Sequence, residues 1–225
     1  KLKSRILNLL NSPDLLVIEI IPSINVPTFE EIKERVARVE PYVSWCHIDV
    51  TDGVFSRHPT WHEPANLPSL ATKLKVEVHL MIEAPERVID HWLVSPVKRV
   101  IVHIEAAKDV PLIARKCREA GIQIGLAIKP DTLWGEIEYW YERVDLIQIL
   151  GVEPGPSGQP IREDIFDKIA HVRKFCNQCI IEVDGGINLQ TAKRAAEAGA
   201  NILVVGSYLF GGEDIASRLK EIRNI

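Results

Sequence analysis

The sequence has no long apolar run and no excess of basic charge. None of its apolar segments approaches the ~18 consecutive residues that a membrane-spanning helix needs. Its 27 Lys and Arg residues are outnumbered by 31 Asp and Glu residues, so no surplus remains to neutralise a nucleic-acid backbone. The basic and then apolar stretch over residues 1–16 is broken by Asn, Pro and Asp too early for a signal peptide. We therefore expect neither a membrane nor a nucleic acid as a partner.

Cysteine is also scarce. The four cysteines form no dense framework, which is typical of a reducing compartment, and we expect a cytoplasmic location. Cys176 and Cys179 form a C-x-x-C pair. Because the sequence has neither a second pair nor a thioredoxin-like context, we expect two structural thiols near a helix end rather than a redox or zinc site.

Short runs rich in Val, Ile and Leu alternate with amphipathic segments along the chain. The predicted strands cover residues 15–24, 45–52, 75–82, 99–106, 123–130, 146–152, 179–187 and 202–210. The predicted helices cover residues 28–39, 109–121, 133–144, 161–177, 189–199 and 211–224. Between strands 2 and 3, the prolines within 53–74 leave room only for a short helix.

This alternation predicts an α/β fold with a parallel sheet that is covered by helices. Eight such units in 225 residues fit a closed (β/α)8 TIM barrel, a fold of about 250 residues. We expect one domain over residues 1–225, with residues 1–14 as an N-terminal extension that packs on the barrel. The structural alternative is an open doubly wound sheet. It would carry a glycine fingerprint after the first strand, where Pro22-Ser-Ile-Asn25 stands instead.

Polar residues lie at the carboxyl ends of the predicted strands, where barrel enzymes place their active sites. His47 and Asp49 share one face of the second strand, opposite the apolar Cys46, Ile48 and Val50. The apolar face has to meet the helices, so the polar pair points into the barrel. The same alternation sends four acidic or basic residues inward from the third and seventh strands: Glu77, His79, Glu182 and Asp184.

Two imidazoles and two carboxylates therefore converge from strands 2, 3 and 7, namely His47, Asp49, His79 and Asp184. This set suits one divalent ion with positions left open for a substrate. A lone polar strand residue is usually a satisfied core group. Four at one level favour a metal, since buried carboxylates are costly unless paired or metal-bound. His103 and Glu105 also face inward and are candidates for a supporting role.

Glycines follow three of the last strands. They stand at Gly155 and Gly158 after strand 6, at Gly185 and Gly186 after strand 7, and at Gly206 before Ser207 after strand 8. Glycines there let backbone N–H groups approach a ligand closely, which suits a phosphate dianion. The alternative is that they only form tight turns.

Seven motifs appear in order: Pro22-Ser-Ile24, His47-Ile-Asp-Val-Thr-Asp-Gly53, Val78-His-Leu-Met81, His103-Ile-Glu-Ala106, Pro154-Gly-x-x-Gly-Gln159, Glu182-Val-Asp-Gly-Gly-Ile187 and Gly206-Ser-x-x-Phe210. With them the chain closely resembles the ribulose-phosphate 3-epimerase family. The resemblance implies a (β/α)8 barrel and an isomerase of pentose phosphate metabolism that epimerises a ketose phosphate at C3. It also implies a homo-oligomer and a bound divalent ion, which in this family is zinc, iron, manganese or cobalt.

Carried over by motif, the resemblance places the metal ligands at His47, Asp49, His79 and Asp184, and the two proton-transfer carboxylates at Asp49 and Asp184. It places the substrate contacts at Ser23, His79, Gly155, Pro156, Ser157, Gly158, Asp184, Gly185, Gly186, Gly206 and Ser207. The chemistry agrees, because inverting C3 beside a C2 ketone requires one base on each face. The intermediate is a 2,3-enediolate, whose charge a metal ion would stabilise. The first expected reaction is D-ribulose 5-phosphate to D-xylulose 5-phosphate.

The chain departs from the family pattern at the rim of the expected pocket. Thr51 and Leu150 stand where the family has methionine, and Glu153 and Pro156 change the loop after strand 6. A six-carbon substrate such as allulose 6-phosphate is therefore an alternative. So is a barrel that binds sugar phosphates without turnover. A third possibility is another phosphate-binding barrel enzyme, a decarboxylase or an aldolase-like synthase. The decarboxylase would want a lysine between His47 and Asp52, where none is present. The synthase would want a buried strand lysine, for which Lys129 at a strand end is the only candidate.

Overall fold

Eight parallel strands form a closed barrel in the computed structural model, which describes residues 18–212 and 214–225. The strands are β1 Glu19–Ile24, β2 Trp45–Thr51, β3 Lys75–Met81, β4 Val97–His103, β5 Gln123–Ile128, β6 Leu146–Leu150, β7 Ile181–Asp184 and β8 Ile202–Val205. Each strand pairs with the next along the chain, and β8 pairs back onto β1 with Glu19 opposite Ile202. The barrel prediction is confirmed, and the open-sheet alternative is excluded because the two end strands are bonded to each other. The expected extension over residues 1–14 lies outside the described residues.

Seven α-helices surround the barrel among the described residues. They are α1 Phe29–Val39, α2 Ile89–Trp92, α3 Val110–Glu119, α4 Asp164–Phe175, α5 Leu189–Ala198, α6 Ser207–Phe210 and α7 Ile215–Arg223. Helix α1 begins where the Thr28 hydroxyl accepts the Glu31 N–H, and it buries Ile32, Val36 and Val39. The apolar spacing read from the sequence is therefore the face that α1 turns to the barrel.

The segment over residues 133–144 is not the helix that its pattern predicts. It forms two short 3-10 turns, Trp134–Glu136 and Glu138–Trp140. Of its side chains only Ile137 is buried without exposure, while Leu133 and Tyr139 stay 71% and 62% exposed. With Gly135 in its first turn and a single fully buried anchor, the segment lacks the continuous buried face that stabilises a longer helix.

Strand alternation divides the apolar residues into two layers. Between the strands and the helices lies the larger core, which includes Cys46, Ile48 and Val50 of β2 and Val76, Val78 and Leu80 of β3. A smaller apolar cluster fills the barrel interior and consists of Ile21, Trp45, Ile101, Ala127, Leu146 and Ile202. The polar residues of β2 and β3 therefore point inward, as the alternation predicts.

Cys176 and Cys179 are joined by a disulfide bond, so the prediction of two free thiols is wrong. The pair follows the end of α4 and precedes β7. This short connection brings the two Cα atoms to 5.4 Å, within the range that a disulfide spans. Cys46 and Cys117 are buried free thiols. Within residues 18–212 and 214–225, no helix has the length and apolar character required to cross a membrane.

Arg173 of α4 ties this connection to the start of β8. Its guanidinium donates to the backbone oxygens of Gly199, Cys176 and Asn177 at 2.7–3.2 Å, and to Asn201 Oδ1 at 2.5 Å. Asn201 Oδ1 also accepts the Ile181 N–H at 2.9 Å. One side chain thus satisfies several carbonyl groups between α4 and the two last strands.

Replacing Arg173 with Met should lower the free energy of unfolding by about 2–3 kcal/mol, because the carbonyls lose charged donors. Urea denaturation followed by circular dichroism measures this change. The matched control is Arg115→Met on α3, whose guanidinium bonds among the described residues only to the exposed Glu119. This variant should change stability by less than ~0.5 kcal/mol. Equal effects of the two substitutions would contradict this account of Arg173.

Candidate active site

Four buried side chains meet inside the barrel near the carboxyl ends of its strands: His47, Asp49, His79 and Asp184. One ligand atom from each lies within 4.8 Å of all the others. The residues come from β2, β3 and β7, and β8 and β1 separate β7 from β2 in the closed barrel. The two carboxylates therefore approach the shared space from different sides.

The separations between these atoms suit a small divalent cation. Asp49 Oδ1 lies 3.3 Å from His47 Nε2 and 3.2 Å from His79 Nδ1. Asp184 Oδ2 lies 3.8 Å from His47 Nε2 and 3.3 Å from His79 Nδ1. Bonds of about 2.0–2.2 Å in a tetrahedral site place neighbouring ligand atoms about 3.3–3.6 Å apart. The donor set, two imidazole nitrogens and two carboxylate oxygens, is one that zinc and similar ions take.

His47 is held from behind by a charged pair. Its Nδ1 lies 2.8 Å from Glu77 Oε1, and Glu77 Oε2 accepts Arg99 Nη1 at 2.5 Å. Burial alone would lower the pKa of His47, yet the pKa is held well above its usual range by the charge of Asp49 and by hydrogen bonds to Asp49 and Glu77. Because the Glu77 carboxylate accepts from Nδ1, Nε2 is the nitrogen that faces the shared space, and a bound cation there would take the place of its proton.

Glu182 lies beside this pair without a hydrogen bond. Both of its oxygens lack a partner among the described residues, and they lie 3.9 Å from His47 Nδ1 and 3.8 Å from Arg99 Nη1. Burial, and then the charge of Glu77, raise the pKa of Glu182 well above its usual range. Arg99 thus lies against two buried carboxyl groups, those of Glu77 and Glu182.

His79 is held from behind by a second imidazole. His79 Nε2 lies 2.9 Å from His103 Nε2, and His103 Nδ1 lies 3.1 Å from Glu105 Oε2. Burial lowers the pKa of His103 to about 4. Burial alone would raise the pKa of Glu105, but its hydrogen bond to His103 lowers it to about 2. The line of polar contacts thus continues from His79 through His103 to Glu105.

A cleft opens beside the two carboxylates of this four-residue group. It is lined by Asp49 and Asp184 and by the other predicted contacts Ser23, Gly155, Pro156, Ser157, Gly158, Gly185, Gly186, Gly206 and Ser207. His79, which was also a predicted substrate contact, is fully buried and is not part of the cleft wall. No Lys or Arg occurs among the described residues that line the cleft. An anion there would be met by backbone N–H groups and hydroxyls.

Two lining glycines have conformations and surroundings that exclude a side chain. Gly185 and Gly186 have φ angles of +96° and +72°, which non-glycine residues rarely adopt. A Cβ atom on Gly186 would lie 2.3 Å from the backbone nitrogen of Ile161. The loop after β7 therefore packs its backbone directly against the segment that leads into α4.

Two residues at the site escaped the sequence reasoning. Asn25 Nδ2 donates to the Gly155 carbonyl at 3.0 Å and so joins the loop after β1 to the loop after β6. Gln148 is fully buried, and its Nε2 lies 3.4 Å from Asp184 Oδ2. Strand alternation could have found Gln148, which shares the inward face of β6 with Leu146 and Leu150. No pattern in the sequence marks Asn25.

The rim residues that depart from the family pattern fall into two groups. Leu150, Glu153 and Pro156 line the cleft. The Thr51 hydroxyl instead bonds to the following loop, where it donates to the His58 carbonyl and accepts the Thr60 N–H at 2.8 Å. The hydroxyl of Thr51 is therefore satisfied by the loop over residues 52–60 and is not turned to the cleft.

Gly186→Ala should lower the free energy of unfolding by more than 2 kcal/mol, since positive φ and the contact with Ile161 add their costs. The control is Gly158→Ala, where φ is +85° but nothing lies within 4 Å of a built Cβ. That variant should lose only about 1–2 kcal/mol. Urea unfolding of both variants makes the comparison. A Gly158→Ala loss as large as that of Gly186→Ala would show that the close approach to Ile161 costs nothing.

Divalent ions should stabilise the protein through the four ligands. At ion concentrations near 100 times Kd the gain is about 2.7 kcal/mol, because the unfolded chain does not assemble the site. Thermal unfolding with Zn²⁺ or Mn²⁺, compared with a chelator, measures the gain. A variant that combines His47→Ala with His79→Ala should show no shift. A shift retained in that variant would place the ion elsewhere.

The chain is similar in sequence to ribulose-phosphate 3-epimerases. The Ribulose-phosphate 3 epimerase family profile matches residues 19–210. The chain is 36% identical over 211 residues to the chloroplastic ribulose-5-phosphate-3-epimerase of Arabidopsis thaliana, covering 90% of this chain and 75% of that one. It is 34% identical over 215 residues to the ribulose-phosphate 3-epimerase of Bacillus subtilis, covering 92% and 99%.

Solved structures extend the likeness to the fold. A 3-hexulose-6-phosphate synthase superposes with a TM-score of 0.69 at 16% identity, covering 92% of this chain and 99% of that one. At that identity the similarity shows the barrel fold alone. The family profile and the two relatives show that the chain belongs to the ribulose-phosphate 3-epimerase family.

Proposed function

We propose that this protein is a metal-dependent 3-epimerase of a ketose phosphate, with D-ribulose 5-phosphate and D-xylulose 5-phosphate as the interconverted pair. The observation that carries the proposal is the meeting of Asp49 and Asp184, from non-neighbouring strands, beside a cleft lined by glycines. Family membership supports the same reaction.

The reaction needs two proton-transfer groups. The C3 proton beside the C2 ketone has to leave on one face and a proton has to return on the other, which a single base cannot do. Asp49 and Asp184 are the candidates, since both carboxylates line the cleft and reach the shared space from different sides. A lone binding site for sugar phosphates would have no use for two opposed carboxylates.

Each carboxylate is oriented by a neighbour. The Ser23 hydroxyl donates to Asp49 Oδ2 at 2.7 Å, so that Oδ1 faces the two imidazoles. Asp184 Oδ2 faces His79 at 3.3 Å, with the Gln148 amide at 3.4 Å. A divalent ion held by His47, His79 and the two carboxylates would supply a Lewis acid for the negative charge that develops on the sugar oxygens.

The phosphate end of the substrate is assigned to the glycine-lined part of the cleft. Gly185, Gly186, Gly206 and Ser207 follow β7 and β8, the position at which many barrels of this type bind phosphate. Their backbone N–H groups can surround a dianion where side chains would obstruct it. The exposed carboxylate of Glu153 on the rim favours a bound group whose charge lies deeper in the cleft.

The ligand set does not select one metal ion. Zinc, iron, manganese and cobalt all accept the ligand set. A homo-oligomer and a cytoplasmic location remain predictions. Leu150, Glu153 and Pro156 line the cleft, so they are the residues through which a six-carbon ketose phosphate would be selected.

The reaction is tested by proton NMR of D-ribulose 5-phosphate in deuterated water with ion-loaded enzyme. We expect deuterium to enter at C3 while xylulose 5-phosphate appears, because the returned proton comes from exchangeable carboxyls. Asp184→Asn should abolish both signals, and metal content measured by mass spectrometry shows whether that variant still holds its ion. The control Asp167→Asn, on the exposed face of α4, should retain both.

Absence of exchange in ion-loaded enzyme would overturn the pentose assignment. The same assay with allulose 6-phosphate then decides between a six-carbon epimerase and a barrel that binds without turnover.

A further inference from the structure

We propose that His103 and Glu105 are positioning residues that determine which nitrogen of His79 faces the candidate metal centre. The proposal rests on the proposed function only in treating His79 as a ligand. Its evidence is a line of hydrogen bonds that starts at the loop after β5 and ends at His79.

The direction of these bonds is set at Glu105. Its Oε1 accepts the Lys129 N–H at 2.8 Å and also accepts the Thr132 hydroxyl. A backbone N–H can only donate, so this oxygen is committed to the loop. Oε2 is left for His103 Nδ1 at 3.1 Å, and a carboxylate oxygen can only accept there. His103 must therefore carry its proton on Nδ1.

The remaining steps follow from the two tautomers of imidazole. With Nδ1 protonated, neutral His103 presents the lone pair of Nε2, which lies 2.9 Å from His79 Nε2. His79 must then donate from Nε2, and its Nδ1 is the nitrogen left for a metal ion. That Nδ1 is the atom 3.2 Å from Asp49 Oδ1 and 3.3 Å from Asp184 Oδ2. The order of donors thus selects the ligand atom that the geometry of the centre requires.

The far end of the line is rigidly anchored. Lys168 of α4 is buried, and its Nζ donates to the carbonyls of Lys129, Pro130 and Thr132 at 2.6–3.1 Å. The loop that holds Glu105 is therefore itself fixed. The Phe55 ring covers His103 with ring centroids 4.8 Å apart. Both arrangements restrict rotation of His103 and hence of the bond to His79.

The two imidazole ligands are supported in different ways. Glu77, a carboxylate, accepts directly from His47, whereas a neutral imidazole stands between His79 and its carboxylate. A network that served only stability would not change the affinity of an ion at His79 Nδ1. Metal affinity, read together with the proton position on His103, therefore separates positioning from a purely structural role.

The first test reads that proton in the full, metal-free chain. Nitrogen-15 NMR of the histidine rings should show His103 as the neutral Nδ1–H tautomer. In Glu105→Gln the amide oxygen stays with the Lys129 N–H, so the NH₂ group faces His103 and should shift its proton to Nε2. A wild-type His103 with its proton on Nε2 would overturn the proposal without any variant.

The matched control is Glu40→Gln. Glu40 Oε1 accepts the Thr72 hydroxyl and the Lys73 N–H, both at 2.6 Å, which are the same two kinds of donor that Glu105 Oε1 accepts. Among the described residues, no histidine is bonded to Glu40. This variant should carry the structural cost of the amide and leave the His103 tautomer unchanged.

The second test is a Co²⁺ titration followed by the visible absorption of the bound ion. Glu105→Gln should weaken Co²⁺ binding by about 10–100-fold, because partners behind a ligand have effects of that size. His103→Leu should do the same, whereas His103→Gln can place an amide oxygen near the position of Nε2 and should restore most of the affinity. Glu40→Gln should bind as wild type does.

Equal Co²⁺ affinity in Glu105→Gln and wild type would overturn the proposal, as would equal losses in His103→Gln and His103→Leu. Neither test uses a sugar phosphate. A protein that passed both and failed the epimerase assay would keep the positioning role and lose the proposed reaction.

Discussion

The concentration of carboxyl groups inside the barrel is the constraint on which the rest of the structure depends. Four carboxyl groups lie there almost without solvent contact: Asp49, Glu77, Glu182 and Asp184. Burying such groups is costly unless cations or hydrogen-bond donors accompany them. Arg99 and the two imidazoles meet this requirement from within the chain. A divalent ion at the proposed centre would complete the balance at the end of the barrel that faces the cleft.

Strands carry the candidate metal ligands, and loops form the glycine-lined part of the cleft. The ligands stand on β2, β3 and β7, whose backbones are fixed by ladder bonds on both sides. The glycine-lined part of the cleft belongs to loops, where Gly185 and Gly186 have positive φ angles and no side chain. The candidate metal ligands thus lie on rigid elements, and the proposed phosphate site lies where the backbone is free of side chains.

Much of this arrangement is readable from the residues. The inward direction of His47, Asp49 and His79 follows from the strand period of two. The apolar face of each strand packs against the helices, so the polar face points into the barrel. The same rule covers Gln148, which was overlooked because glutamine carries no strong chemical signal. The prediction of a helix over residues 133–144 was wrong. An apolar pattern does not reveal that only Ile137 is fully buried in that segment.

By itself the sequence determined the eight-unit barrel, the inward ligands and the family, because each is a matter of local period or motif. Only the tertiary structure decided what joins across the barrel. The Cys176–Cys179 bond, the Asn25 contact with Gly155 and the line from Glu105 through His103 to His79 are of this kind. The physical reason is that hydrogen-bond direction and Cα separation depend on how distant or irregular segments are placed, and periodicity carries no information about either.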